Sequence, residues 1–262
     1  MADVMPFHGQ LPTPEKVAEV AAVPYDVVNS AEAAELAAGN PLSFLRVSRP
    51  EIELEEGIDL HDDKVYAKAA ANYKRLVEAA PLVNDAGKHL YVYRLIMNGH
   101  AQTGILGACS TAEYDAGLIK KHEKTRTDKE DDRTRHLLEL RSHTGPVFLT
   151  YRDSDSIDSL IDEAVKSEPL FDFVAPDGIS HTLWRLSEED SAKLSGLFKD
   201  VSALYIADGH HRAAAASRTA AYCRENNPSH TGDEAYKYFL AGPFPASQPK
   251  ILAYSRALED VT

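Results

Sequence analysis

The residues best able to do chemistry lie in one run, Leu204-Tyr205-Ile206-Ala207-Asp208-Gly209-His210-His211-Arg212, followed by AAAASRTAAYCREN. An apolar strand is expected to end at Ala207, Gly209 permits a turn that other residues resist, and the alanine-rich run then starts a strong helix. His210, His211 and Arg212 thereby fall at a helix N-terminus, where free N–H groups and the macrodipole favour an anion. Arg212 adds a planar fork suited to phosphate or carboxylate. Asp208 adds a carboxylate able to hold a metal or take a proton. The plainer alternative is that Asp208 caps the helix while the histidines hydrogen-bond locally.

A second candidate is Lys120–His136, KKHEKTRTDKEDDRTRH. Helical spacing pairs Glu123 with Arg126, Asp128 with Asp132, and Asp132 with His136. Charge runs are usually solvated faces laced with ion pairs. Alternatively the basic groups bind phosphates while carboxylates such as Asp131 and Asp132 hold Mg²⁺. The chain has no HExxH, no P-loop, no GxGxxG and no GxSxG. Zinc hydrolysis, Walker-type nucleotide binding and an α/β-hydrolase triad are therefore without support.

The rest of the chain must position these groups. Its 262 residues are 44% hydrophobic and 26% charged, enough apolar material for a sizeable core. A net charge of −13 repels nucleic acid unless a local basic patch exists. Two cysteines, Cys109 and Cys223, without a CxxC, exclude a disulfide framework or a cysteine-rich zinc site. No apolar run is long enough to span a membrane, and the N-terminus lacks a basic region followed by an apolar stretch. A cytoplasmic protein is expected.

Val23-Pro24-Tyr25-Asp26 reads as a strand end running into a turn. Asn29 with Glu32 forms a capping box for a helix over Ser30–Ala38. Pro41–Ser48 reads as a strand, Glu51–Asp63 as an acidic solvated loop, and Lys64–Ala80 as a helix. Leu90–Met97 and Thr103–Thr111 are strands joined at Asn98-Gly99. Further strands are expected at Gly145–Tyr151, Phe171–Pro176, His181–Leu186 and Ala203–Ala207, and helices at Ser156–Ser167, Ser187–Phe198 and His211–Asn226. The order predicts an α+β fold with mixed sheets and packed helices. Residues 1–144 form an N-terminal lobe and 145–262 a lobe carrying the ADGHHR element, or the two form one domain.

The blocks PYDVVN, NPLSFLRVSRPEI, IKKHEKTRTDKEDDRTRHLLELRSHTGPVFLTYRD, HTLW and YIADGHHRAAAASR resemble a prokaryotic family catalogued as domain of unknown function 1015. Its members are often labelled SpoOJ/ParA/ParB/RepB-type proteins. The ADGHHR element resembles the phosphate loop of the ParB/sulfiredoxin-like superfamily, which includes ATP-using sulfiredoxins, CTP-binding ParB proteins and a free-serine kinase branch. That resemblance implies a strand-turn-helix phosphate loop made of Asp208, Gly209, His210, His211 and Arg212. It implies Mg²⁺ and ATP, ADP or CTP as cofactors, with Asp208 as the metal ligand or metal-orienting group. If the central run folds over the same cleft, Lys120, Lys121, Lys124, Arg126 and Arg133 are expected to bind phosphate as well. An upstream acid would serve as base, with Glu123, Glu32 and Asp26 the candidates. Sulfiredoxin chemistry is disfavoured, since the turn holds histidines where a cysteine is needed. Family members usually continue beyond the segment Lys250–Thr262, so a C-terminal part is expected to be missing. The expected activity is a nucleotide-dependent phosphotransferase acting on a small hydroxyl compound, free serine among the candidates. The rival readings are a non-catalytic ParB-like nucleotide switch and a small-anion-binding scaffold. The expected partner is thus a small molecule or nucleotide, not a membrane or nucleic acid.

Overall fold

The computed structural model describes residues 2–79 and 82–250. Ala80, the expected end of the Lys64–Ala80 helix, and most of the Lys250–Thr262 segment lie outside them. In chain order the strands are β1 (Val4–Met5), β2 (Gln10–Leu11), β3 (Val83–Asn84), β4 (Tyr91–Met97), β5 (His100–Ser110), β6 (Ile119–Lys120), β7 (Val147–Tyr151), β8 (Phe171–Val174), β9 (Ser180–Arg185), β10 (Leu204–Asp208) and β11 (Tyr238–Pro245). The helices are α1 (Val17–Val20), α2 (Ser30–Leu36), α3 (Leu45–Ser48), α4 (Asp63–Ala79), α5 (Thr111–Asp115), α6 (Thr127–Leu140), α7 (Asp155–Ala164), α8 (Glu188–Phe198) and α9 (His210–Glu225). The fold is α+β.

Nine strands make one mixed sheet in the order β6-β10-β7-β11-β5-β4-β9-β8, with β1 also on β5. The sheet draws strands from both sides of the 144/145 divide. Its hairpin β4–β5 turns at Asn98 and Gly99, both at positive φ as a two-residue turn of this hand requires. β7 and β10 carry alternating apolar residues: Val147, Leu149, Tyr151, Leu204 and Ile206 are all buried. They pack with Ile157 and Ile161 of α7, Leu194 and Phe198 of α8, and the alanines that open α9. Each such large side chain contributes about 1.5–3 kcal/mol by leaving water. The small Ala213–Ala216 run lets α9 lie close to its neighbours, and Arg218 then bonds Glu130 and Asp131 of α6.

Three local expectations need correction. Pro41–Ser48 is not a strand. Asn40 turns the chain by accepting the Leu42 N–H, and Leu45–Ser48 then coils into α3, burying Leu45 and Val47. A short apolar run fits a strand or a buried helical turn equally well. No strand runs into Tyr25, which follows an irregular stretch and opens a single 3₁₀ turn, Tyr25–Val27. The acidic stretch from Glu51 is not simply solvated either. Burial alone would raise the Glu53 carboxyl, but hydrogen bonds from Lys68, Arg46 and Asn72 hold it down to about 2.

β11 is the element the sequence hides. Its GPFP ending argues against a central strand, because proline cannot donate to a ladder. The strand changes partner: Tyr238–Ala241 run antiparallel to β5, and Ala241–Pro245 parallel to β7. Pro243 and Pro245 therefore stand beyond the point where pairing to β5 ends.

Candidate functional site

β10 ends at Asp208 after a register shift that marks a bulge, a common device for re-aiming a strand end. Gly209 follows at φ 90°, and α9 begins at His210. A Cβ at position 209 would stand 2.7 Å from the Arg212 Nε, so the bare glycine gives the guanidinium room to fold back over the turn. No side chain caps α9, which leaves its first N–H groups and positive dipole end able to meet an anion.

The Arg212 side chain bonds the Asp208 carboxylate, and Asp26 lies 4.0 Å away. Its Nε is buried without a partner among the described residues, as is the Nε2 of His210. Such an orphan costs about 1–3 kcal/mol, so two of them on one turn mark a place that accommodates something polar. His210 is 5% exposed. Burial lowers its pKa, and neighbouring His122 pushes the same way, so the ring is neutral at pH 7.

The charge run reaches this turn by strand pairing. β6 lies parallel to β10, with Tyr205 opposite Lys120, so the residues after Lys120 travel alongside the end of β10. His122 meets the His210 ring edge-on at 4.4 Å, and a Glu123 carboxylate oxygen lies 3.6 Å from the His210 Nδ1. The Arg126 backbone N–H then donates to the His211 Nε2 at 3.2 Å.

His211 opens onto a cleft of about 180 Å³ between α9, α6, α4 and the turns at 25–27 and 48–51. Arg133 stacks over the Tyr25 ring at 4.3 Å and pairs with Asp132 at 2.6 Å. Burial raises the Tyr25 phenol against the opposing pull of Arg133. Lys129, Arg49 and Asp26 add charge to the walls. At the end formed by α4 the Tyr66 hydroxyl donates to Asp132 at 2.8 Å, and the His61 Nδ1 stands 3.5 Å from the same carboxylate. Burial would raise Asp132, but Arg133, Tyr66 and His61 together hold it below the usual carboxylate range.

The structure thus gathers Asp208, Gly209, His210, His211, Arg212, Glu123, Asp26 and Arg133 into one neighbourhood. Others go elsewhere. The Glu32 carboxylate accepts the Asn29 N–H in a completed capping box, so it is spent on starting α2. The Lys121 ammonium sits over the Tyr114 ring at 4.1 Å, and neither it nor Lys124 lines the cleft. The Arg126 guanidinium bonds Asp128, not Glu123, because Glu123 precedes α6. Only its backbone touches the site. Asp132 likewise turns to Tyr66 and Arg133, leaving His136 to bond the Val47 carbonyl at 3.2 Å. Sequence reasoning had no role for His61, Tyr66, Arg49 or Tyr25. The blocks PYDVVN and NPLSFLRVSRPEI contain Tyr25 and Arg49, but nothing in their spacing ties them to ADGHHR.

Among the described residues no group of three or more His, Cys, Asp or Glu is arranged to hold a metal. A Mg²⁺ held by one or two carboxylates and phosphate oxygens needs no such cage. The carboxylates at this turn are Asp208, paired with the Arg212 guanidinium, and Asp26, 4.0 Å from it. Among the described residues no helix is long and apolar enough to cross a membrane. A family model described as "Protein of unknown function (DUF1015)" matches residues 4–262, nearly the whole chain. No curated protein and no solved structure matches.

Proposed function

The chain belongs to that family of unknown function, and from its cleft we propose a nucleotide-dependent phosphotransferase acting on a small hydroxyl compound, free serine among the candidates. One observation carries the reading: the uncapped N-terminus of α9, with His211 and the unpartnered Arg212 Nε, stands beside a small cleft walled by Arg133 and Lys129. Phosphoryl transfer needs little more than positioning and charge stabilisation of this kind. His211, Arg212 and the α9 N–H groups would hold the transferred phosphate, with Arg133 and Lys129 facing it. Mg²⁺, when bound, would neutralise phosphate oxygens. Asp208 would hold it, and Asp26 is the next carboxylate at the same guanidinium. Glu123 and Asp26 remain the candidate bases from the sequence.

A second reading is anion or nucleotide binding without turnover, as in a ParB-like switch. Arg212 favours it, being already neutralised by Asp208. Calorimetry with ATP, ADP and CTP in the presence of Mg²⁺, followed by phosphorus NMR for turnover, separates the two. Arg212→Ala should weaken nucleotide binding about 10- to 150-fold, the worth of a charge-assisted contact of about 1.5–3 kcal/mol. Arg212→Lys should recover part of it. Wild-type protein that binds none of the three nucleotides would leave only small-anion binding. Binding without turnover would leave the switch.

A further inference from the structure

The end of the cleft formed by α4 holds a group of side chains that the phosphate-binding account does not use. His61 lines the cleft from the loop before α4, with its side chain half exposed. Its Nδ1 faces Asp132 at 3.5 Å and the Tyr66 hydroxyl at 3.4 Å. Asp132 is largely buried and is itself fixed by Tyr66 and by Arg133. The backbone of His61 is held too: its N–H donates to Asp59, and its carbonyl accepts from Arg135, whose guanidinium lies over the Tyr66 ring at 4.3 Å. Among the described residues no hydrogen bond involves the His61 Nε2.

This is the arrangement a proton acceptor requires. A carboxylate beside Nδ1 favours the tautomer that keeps the proton there, leaves Nε2 basic, and stabilises the imidazolium that forms. Contacts of this type are often long before substrate binds and shorten in the complex. Asp132 is shielded, so it orients the ring without reaching the substrate. Glu123 stands against His210 at the other end, Asp26 lies beside the Arg212 guanidinium and Glu32 is spent in a cap, so none of them competes for this position.

We propose that His61, oriented by Asp132, is the general base that accepts the proton of the acceptor hydroxyl, and that this end of the cleft is the acceptor subsite. The inference rests on the phosphotransferase reading. In the step, the His61 Nε2 takes the hydroxyl proton while the acceptor oxygen forms a new bond to the terminal phosphorus. The bond from that phosphorus to its bridging oxygen breaks, and its electron pair leaves with the nucleoside phosphate. The imidazolium, paired with Asp132, returns its proton to water after the product departs. His61 is the catalytic residue, and Asp132 and Tyr66 are positioning residues.

The test uses the whole chain with ATP, ADP and CTP, each with Mg²⁺, and L-serine, L-homoserine or glycerol as acceptor. His61→Gln keeps a polar side chain of similar reach. It should bind nucleotide as wild type does by calorimetry, while kcat falls about 100-fold or more, the usual contribution of a general base. The acidic limb of the pH–rate profile should go with it. Asp59, Asp132, Tyr66, Arg133 and Arg135 surround His61 and all remain in the variant. His61→Ala should regain part of its rate when imidazole is added, a result that a merely misfolded variant cannot give. Turnover by His61→Gln at the wild-type rate overturns the assignment and leaves the phosphotransferase standing. Wild-type protein that binds no nucleotide, or transfers phosphate to none of the three acceptors, overturns both.

Discussion

Two depressions of similar size lie at opposite ends of β10. One, of about 210 Å³, forms where β7 gives way to α7 and where the chain enters β10. The other, of about 180 Å³, is the cleft at the β10–α9 end. The first is built from two segments, Arg152–Ser154 and Asp200–Ala203, and Asp153 there is occupied by the Ser247 N–H. No histidine or tyrosine lines it. The second takes side chains from five segments and includes His61, His136, His211, Tyr25 and Tyr66. Next to it, His210 and Arg212 keep buried polar atoms without partners among the described residues. Volume does not separate a site from a surface hollow. Convergence of titratable groups on one space does.

The largest expected difference between the two ends is in acid. His136, in the cleft wall, is neutral when folded, with burial lowering its pKa to about 4. His143, which bonds the Tyr238 carbonyl, is lowered to about 4 for the same reason. Unfolded histidine titrates near 6.5, so the unfolded chain binds more protons throughout the window from about 6.5 down to 4. Stability is full above that window and is lost as pH falls through it. The loss at pH 4.5 should be on the order of 2 kcal/mol per histidine. Urea unfolding at pH 7 and pH 4.5 checks it. His136→Gln should show a smaller drop than wild type, and an equal drop would remove the acid sensitivity from the cleft wall.

Arginines at the two ends should also behave differently toward a phosphate. Arg133→Ala removes a guanidinium from the cleft and frees both Tyr25 and Asp132. Nucleotide binding should fall about 10- to 150-fold. Arg152→Ala, at the other depression, should leave the dissociation constant unchanged. If the two variants lose affinity equally by calorimetry, the difference between the two ends has no bearing on binding.

How far the sequence foretold this contrast depends on how local each signal was. The β10–Gly209–α9 element was legible, because strand, glycine turn and alanine-rich helix are adjacent in the chain. So was the Asn29–Glu32 capping box, complete within four residues. The cleft as a whole was not. His61, Tyr66 and Asp132 meet only because α4 packs on α6, and no spacing in the chain encodes that approach. Arg126 shows the reverse error: its charge looked functional, yet its guanidinium closes onto Asp128 and only its amide reaches His211. β11 was hidden because two prolines are compatible with a central strand only where it changes partners.

A smaller effect concerns the backbone of the two ends. Gly209 sits at φ 90°, a region that costs a β-branched residue about 1–3 kcal/mol. Gly209→Val would also push the Arg212 guanidinium away from the turn. A fall of that size in thermal or urea stability is expected, together with weaker anion binding. Ser202→Val, exposed at the entry to β10, should stay within about 0.5 kcal/mol of wild type. A Gly209→Val protein as stable as wild type would mean that the turn tolerates a side chain and that Arg212 has no need of the space.

The smallest effect tests the support beneath each end. Asn29 lies one residue beyond the 25–27 turn that carries Tyr25 and Asp26 into the cleft. Its side-chain oxygen accepts the Glu32 N–H at 3.0 Å, while the Glu32 carboxylate accepts the Asn29 N–H at 2.8 Å. Ser154 holds the matching N-cap position of α7, beside the other depression, but makes no capping hydrogen bond and its hydroxyl instead meets Ser156. Asn29→Ala should therefore cost about 1 kcal/mol, the usual worth of a lost cap, and Ser154→Ala clearly less. Because α2 fixes where the 25–27 turn enters, Asn29→Ala should also loosen Tyr25 under Arg133, read as faster hydrogen exchange of the 25–29 amides. Glu32→Gln keeps an acceptor for the Asn29 N–H and should leave phosphoryl transfer intact. Loss of transfer in Glu32→Gln, with unchanged stability, would return that carboxylate to the list of bases and count against His61.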